Sequence, residues 1–158
     1  NFEIGKKINR DLKLNLMYSN QIFNPIAFGH PEQPNVYANI FVADATYKIS
    51  KKHSVRGEVQ WLLTEQNYGE WATGDWLQAT AEYNFAGKWF FALSDQWNYG
   101  NEEGDKTHYY SVALGSTYKT TRISLSYGKQ RSGIICIGGV CREVPASNGL
   151  FMTITSSF

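Results

Sequence analysis

Two cysteines give this chain of 158 residues its most specific chemical signal. Cys136 and Cys141 flank the sequence IGGV, in which Gly138-Gly139 can form a two-residue hairpin turn because both glycines accept positive φ. The cysteines would then form a non-hydrogen-bonded pair with Cα atoms about 4.5 Å apart, at the short end of the range for a disulfide. We predict a Cys136–Cys141 disulfide. Two free thiols are the main alternative, and a metal site is the third, although it needs more ligands than this pair supplies.

The other residues that could be catalytic do not form a recognised catalytic motif. The chain contains no Gly-rich phosphate loop after a strand, no HExxH and no GxSxG. His108 and Ser111 come closest to a Ser/His pair, but in a strand they would point to opposite faces. The loop carboxylates Glu102, Glu103 and Asp105 could hold calcium, although a solvated loop tip explains them as well. We therefore expect no enzymatic activity and no cofactor.

The overall composition excludes several classes of protein. The formal net charge is +1 and no Lys/Arg run occurs, so nucleic acid is not an expected partner. No run of about 18 apolar residues occurs, which excludes a transmembrane helix. The N-terminus has no charged-then-apolar leader, so we expect any signal peptide to have been removed or to lie outside this chain. The mean hydropathy of −0.39 suggests a soluble protein, but this average hides apolar residues that are sorted onto one face.

Alternation of apolar and polar residues is the dominant pattern in the chain. In SVRGEVQWLLT, Val55, Val59 and Trp61 share one side, and Arg56 and Glu58 lie on the other. The segments WLQATAEYNF and YYSVALGSTYK alternate in the same way. A period of two predicts half-buried strands and not helices. We expect one region without a separate soluble domain over residues 1–158, with nine strands at 1–8, 11–22, 35–48, 53–65, 75–86, 88–98, 107–119, 121–131 and 148–158.

Two architectures fit antiparallel strands that have one apolar face. A soluble sandwich or ligand-binding barrel turns this face inward, whereas a transmembrane barrel turns it toward lipid and lines its lumen with polar residues. Short turns alternate with long loops along this chain, as in bacterial outer-membrane barrels. Tyr37 and Tyr47 bound an apolar face of about ten residue steps, which at about 3.3 Å each and a tilt of about 40° spans roughly 25 Å, the height of an outer-membrane apolar band. The sequence therefore favours an antiparallel up-and-down transmembrane β-barrel.

The alternation also assigns side chains to the two faces of this barrel. The polar residues expected to face the lumen are Lys13, Asp44, Arg56, Glu58, Gln60, Gln78, Glu82 and Arg122. The tyrosines expected in the aromatic girdle are Tyr37, Tyr47, Tyr83 and Tyr118. The loop-end aromatics could stack on sugars, although the interface girdle accounts for them more simply: Trp71, Trp76, Trp97 and Tyr99. Asp95 is in register with Phe91 and Leu93, so we expect a bulge to turn it away from lipid.

The odd number of strands raises the question of how the barrel closes. Bacterial single-chain barrels usually have an even strand number and termini on the short-turn side. The last eight strands could form a complete small barrel, which would leave residues 1–8 unpaired. The first strand, however, already runs toward the short turn NRD. We therefore expect the chain to be the C-terminal portion of a larger barrel, with a native C-terminus.

The end of the chain resembles known outer-membrane sequences in two ways. The segment YGKQRSGIICIGGVCREVPASNG through LFMTITSSF resembles the C-terminus of an uncharacterised family of Bacteroidota outer-membrane barrels. The last strand is similar to the C-terminal assembly signal of outer-membrane proteins, with Ser156 as a departure from it; the matching residues are Leu150, Met152, Ile154 and Phe158. This resemblance implies that the outer-membrane insertion machinery recognises the last strand.

The function that we expect follows from the barrel. It is a multi-pass protein of the bacterial outer membrane that acts as a pore for small solutes or as the anchor of a surface assembly. Its expected partners are the lipid bilayer, the insertion machinery and either other outer-membrane proteins or missing strands of the same barrel. The alternatives are a non-conducting interaction protein that acts through its extracellular loops and a soluble ligand-binding β-barrel.

Overall fold

A computed structural model describes residues 1–24, 35–64, 74–101, 106–137 and 140–156 of the chain. The described residues form strands and no helix. The strands are β1 Phe2–Lys7, β2 Leu12–Phe23, β3 Val36–Lys48, β4 His53–Thr64, β5 Trp76–Phe85, β6 Trp89–Trp97, β7 His108–Tyr118, β8 Thr121–Gln130, β9 Gly133–Ile137, β10 Val140–Val144 and β11 Ser147–Ser156. Over the described ranges, no helix is long and apolar enough to cross a bilayer.

Nine of these strands form one antiparallel sheet in up-and-down order. Each strand from β1 to β7 pairs with the next, and β8 pairs with β11. The hairpin β9–β10 is a separate two-stranded sheet between β8 and β11. Among the residues described, β1 and β11 do not pair with each other, so the sheet is not closed. The prediction of an all-β, antiparallel up-and-down fold is therefore confirmed.

The two faces of the sheet differ sharply in exposure, and we name them by their residues. The outward face carries Val59, Leu114 and Leu125, and Leu114 is 51% exposed. The inward face carries Ala92 and Ala113, which are only 3% and 2% exposed although no second layer covers them among the described residues. Small side chains can be this buried in a single sheet only if the sheet curves around them. The inward face is therefore the concave one.

Contacts between strands that are not neighbours confirm this curvature. The guanidinium of Arg131, just after β8, lies 4.5 Å from the ring centre of Trp76 in β5. In a flat sheet, strands that are three positions apart would be separated by about 14 Å. The Trp76 ring also stacks on Tyr109 of β7, with ring centres 6.0 Å apart. Both contacts lie on the inward face, so the sheet curls toward it.

The register of the strands is staggered relative to the turns. One row of directly paired residues runs through Leu12, Tyr47, Val55, Tyr83, Phe91, Leu114, Leu125 and Met152. This row starts at the first residue of β2, but it crosses β5 two residues from its end at Phe85 and β7 four residues from its end at Tyr118. The hydrogen-bonded rows therefore climb relative to the turns, as they do when tilted strands wrap a barrel.

The turn between β5 and β6 has backbone angles that suit a tight hairpin. Ala86 and Gly87, between β5 and β6, both have positive φ, and the Lys88 amide donates to the Phe85 carbonyl. This is the geometry of a two-residue hairpin turn whose twist matches that of the strands. The pairs β3–β4, β5–β6 and β7–β8 are all joined at this end of the sheet. We call it the turn end, and we call the opposite end the loop end.

The predicted bulge at Asp95 is wrong. Residues 89–97 of β6 pair one to one with β5 and β7, and Asp95 stays on the outward face between Ala79 and Tyr110. The carboxylate is instead accommodated near the loop end, where its side chain is 42% exposed and its Oδ2 lies 2.7 Å from His108 Nδ1. A polar partner on the next strand thus replaces the expected distortion of the backbone.

Candidate functional site

A network of charged side chains occupies the inward face of β3, β4 and β5. The register places Asp44 opposite Glu58, and Arg56 opposite Glu82. Arg56 lies at the centre: its Nε is 2.5 Å from Asp44 Oδ2, its Nη2 donates to Glu58, and its Nη1 is 3.8 Å from Glu82 Oε1. Gln60 Nε2 donates to Glu58 Oε1 over 2.7 Å. Five of the residues predicted to face the lumen are therefore joined in one network.

The charges of this network are shielded from solvent on the concave side. The Glu82 side chain is only 5% exposed, and those of Asp44 and Glu58 are 13% and 17% exposed. Three carboxylates around one guanidinium leave an excess of negative charge, and buried carboxylates require such a partner. Arg56 therefore holds the three carboxylates together, and the carboxylates make this part of the inward face polar.

A second cation lies nearer the turn end. The Arg122 guanidinium is 4.1 Å from the ring centre of Phe90, in a cation–π contact. The Phe90 ring in turn covers Gly115, where a Cβ atom would overlap the ring. Arg122 Nη2 is buried and has no hydrogen-bond partner among the described residues. This cation is therefore held against the aromatic ring.

The remaining predicted lumen residues lie apart from the network. Gln78 is directly opposite Gln60 and faces the loop end of the concave side. Lys13 is exposed, near the turn end of β2, and takes part in no ion pair among the described residues. The inward face thus combines a central charged network with more isolated groups at both ends.

A cavity of about 310 Å³ opens at the loop end of the inward face, and we call it the loop-end cavity. Side chains from β2 to β6 line it together with Arg131, and its polar lining includes Gln21, Gln60, Gln78, Gln96 and Thr64. The alternation pattern of the sequence does not predict this cavity. Trp76, which we expect in the interface girdle, is instead 8% exposed and lines the cavity. Trp76 is separated from Gln78 and Glu82 in β5 by even numbers of residues, and this spacing indicates that it faces inward.

The tyrosines that we expect in an aromatic girdle are all exposed on the outward face. Tyr47, Tyr83 and Tyr118 are exposed near the turn end, and Tyr37 is exposed near the loop end. The Tyr83 hydroxyl is hydrogen-bonded to His53 Nδ1. On β11, Leu150, Met152 and Ile154 are exposed on the same face. Ser156, which departs from the assembly signal, has a polar partner on the neighbouring strand. Its Oγ lies 2.9 Å from Thr121 Oγ1.

The loop end of the outward face holds a small polar cluster. His108 stacks on Trp97, with ring centres 5.2 Å apart, and pairs with Asp95. Ser111 lies on the inward face, where its hydroxyl is 2.7 Å from that of Ser94. His108 and Ser111 therefore point to opposite faces, as expected, and do not form a nucleophile–base pair.

Several predictions fall on parts of the chain that the structure does not describe. The backbones of Cys136 and Cys141 are directly paired in the β9–β10 hairpin, as predicted, and Val140 pairs with Ile137. The cysteine side chains and the Gly138-Gly139 turn lie outside the described residues, so the disulfide stays a prediction. Also outside them are Phe158, the loop carboxylates Glu102, Glu103 and Asp105, and Trp71.

Comparisons with known proteins identify the family and no activity. No curated protein matches the chain, and no solved structure matches it. A family model described as a family of unknown function matches residues 1–158. The chain therefore belongs to the Family of unknown function (DUF6029).

Proposed function

We propose that this chain forms part of the wall of a bacterial outer-membrane β-barrel, whose inward face lines a passage for small solutes. The observation that carries the proposal is the inverted arrangement of the two faces. The exposed outward face is apolar, and the concave inward face holds the charged network around Arg56. In a barrel that spans a membrane, lipid covers the first face and water contacts the second.

The same inversion argues against a soluble ligand-binding barrel. Such a barrel would bury aliphatic side chains on its concave side, but here the large aliphatic side chains of β7 and β8, and those of β4 apart from Leu62, are on the convex side. Val59, Leu114 and Leu125 are each 46% or more exposed, and they belong to one continuous face. A continuous apolar surface of this extent on a soluble monomer would drive association.

Aromatic side chains at both ends of the outward face support two membrane interfaces. At the turn end these are Tyr47, Tyr83 and Tyr118. At the loop end Tyr37 and Trp61 are exposed, and the Trp61 indole donates to the Tyr99 hydroxyl. Aromatic residues with one polar atom are enriched where hydrocarbon meets the headgroups. Leu114, between these two levels, would lie in the hydrocarbon.

The last strand supports a role in assembly. β11 pairs with β8 on one side, and its outward residues Leu150, Met152 and Ile154 are exposed. An edge strand of this kind offers backbone groups to another strand. We propose that the insertion machinery of the outer membrane recognises it, in line with the resemblance of this strand to the C-terminal assembly signal of outer-membrane proteins.

A non-conducting interaction protein is the second candidate function. The separate hairpin β9–β10 favours it, because this hairpin stands outside the nine-stranded sheet at the loop end. In that case the charged network would fill a narrow barrel, and the loops would bind a partner. The disulfide that we predict would then stabilise the binding hairpin.

Planar-bilayer recording of the full-length protein tests the proposed passage. We expect discrete conductance steps and, because carboxylates outnumber guanidinium groups in the network, a preference for cations. Glu58→Gln should reduce this preference, whereas Leu125→Ile on the outward face should leave it unchanged. The absence of steps from correctly folded protein would contradict the pore and favour the interaction protein.

A further inference from the structure

The loop-end cavity contains a row of carboxamides that the proposed function does not explain. Gln60, Gln78 and Gln96 are directly paired on β4, β5 and β6, so their side chains lie side by side on the inward face. Adjacent strands are about 4.8 Å apart, and the row is therefore compact. Each carboxamide has two donors and one acceptor, which are the groups that pair with peptide bonds, and one of the Gln60 donors is already bonded to Glu58.

Apolar side chains from β2, β3 and β4 form one part of the cavity lining. Phe23, Val36, Ile40 and Leu62 line the cavity on this side. Thr64 also lines it, and its buried Oγ1 has no hydrogen-bond partner among the described residues. Buried hydroxyl groups normally have a partner, so this atom points to a ligand or an ordered water. The cavity thus suits a molecule with apolar groups on one side and amide groups on the other.

Arg131 adds a positive charge at the edge of the cavity. Its guanidinium lies 4.5 Å from the Trp76 ring centre, which fixes its position, and the residue is exposed. The ion pairs of the described residues do not involve it. A guanidinium held in this way can bind a carboxylate through two parallel hydrogen bonds. No carboxylate is among the described residues that line the cavity, so this charge is not neutralised within it.

We propose that the loop-end cavity binds short peptides that have a free C-terminal carboxylate and an apolar last side chain. The carboxylate binds Arg131, the carboxamide row pairs with the peptide backbone, and the apolar side chain packs against Ile40 and Leu62. A volume of about 310 Å³ fits the last two or three residues of a peptide. The inference rests on the proposed function, since it requires the inward face to be open to solutes.

A saccharide is the competing ligand, and the aromatic side chains argue against it. Sugars bind proteins by placing a C–H face on an open aromatic ring. Trp76 is 8% exposed and already contacts Arg131 and Tyr109. Its ring is therefore not available as a platform, whereas the carboxamides and Arg131 remain suited to a peptide.

Isothermal titration calorimetry on the full-length protein in detergent tests the proposal. The probes are the tripeptide Ala-Ala-Leu, the same tripeptide with a C-terminal amide, and maltotriose. We expect the free acid to bind at least about tenfold more tightly than the amide, because a charge-assisted pair is lost in the amide. Maltotriose should not bind. Equal binding of acid and amide, no binding of either, or tighter binding of maltotriose would overturn the proposal.

Two variants and a control connect this binding to the cavity. Arg131→Gln should remove the difference between acid and amide, and Gln78→Leu should weaken both by about fivefold through a lost hydrogen bond. Lys119→Gln removes an exposed cation at the turn end and should leave both affinities unchanged. If Arg131→Gln keeps the preference for the acid in folded protein, the assignment is wrong.

These outcomes are separable from the test of the proposed passage. Peptide binding without conductance steps would contradict the pore and leave the binding site in place. Conductance steps without peptide binding would overturn the binding site alone.

Discussion

At the scale of single residues, Gly115 shows how tightly the turn end of the concave side is packed. Its missing side chain makes room for the Phe90 ring, which is buried and holds Arg122 by a cation–π contact. Any Cβ atom at this position would displace the ring. The glycine, the ring and the guanidinium therefore act as one packing unit across β6, β7 and β8.

We expect Gly115→Ala to lower the free energy of unfolding by about 1–3 kcal/mol, because it overpacks this unit. Urea titration of the protein in lipid vesicles, followed by tryptophan fluorescence, measures the change. Gly57→Ala is the matched control, since a Cβ atom at that outward position meets no atom within 4 Å. Similar losses in the two variants would contradict the packing described for Phe90.

Arg56 is the residue on which the inward charges depend. Arg56→Gln leaves Asp44, Glu58 and Glu82 close together without their cation, and Glu82 is almost fully buried. We expect a loss of about 1–3 kcal/mol in the free energy of unfolding, below the value for a fully buried pair because the Arg56 side chain is partly exposed. The same urea titration measures it.

Lys13→Gln is the matched control for Arg56→Gln. It also removes one inward cation, but Lys13 is exposed and lies outside the network. Its effect should stay within about 0.5 kcal/mol. A loss as large as that of Arg56→Gln would mean that total charge, and not the network, determines the stability.

At the scale of elements, β7 crosses the whole depth of the proposed membrane. Its outward residues include Leu114 near the middle and Tyr118 at the turn end. We expect Leu114→Arg to reduce the folding free energy in vesicles by about 2–4 kcal/mol, and Tyr118→Arg by at most about 1 kcal/mol, because the cost of a charge depends on its depth. Equal costs at the two positions would contradict a membrane around β7.

The hairpin β9–β10 carries the predicted disulfide. Its backbone register brings Cys136 and Cys141 opposite each other. We expect iodoacetamide to label neither cysteine in the unfolded, non-reduced protein and both after reduction, as measured by mass spectrometry. Full labelling before reduction, in protein prepared without reductant, would show two free thiols instead.

How far the sequence predicts these elements depends on the range of the interactions involved. Alternation correctly predicts the faces of β4, β5 and β7, because a period of two is a local property of a strand. It fails at Asp95, since the partner His108 lies on another strand and its pairing leaves no local pattern. It also misses the loop-end cavity, which exists because curvature brings Arg131 to Trp76 across three strands. Non-local geometry of this kind is not visible in a single sequence.

At the scale of the whole molecule, the register, the curvature and the polarity of the two faces indicate the same architecture. The register climbs relative to the turns, the polar side is concave, and the apolar side is bounded by tyrosines. These features support the proposed barrel wall with lipid outside and water inside. Within the described residues β1 and β11 each have one neighbour, so the nine strands form an open sheet.

In the proposed barrel, lipid covers the outward face, and the accessibility of spin labels along β4 tests this most directly. Each position from 55 to 61 would be labelled in turn in vesicle-reconstituted protein, with Cys136 and Cys141 replaced by serine. We predict a period of two, with high oxygen accessibility at Val55, Gly57, Val59 and Trp61 and high accessibility to a water-soluble nickel complex at Arg56, Glu58 and Gln60. High nickel accessibility at the first set, or the reversed phase, would contradict the membrane barrel.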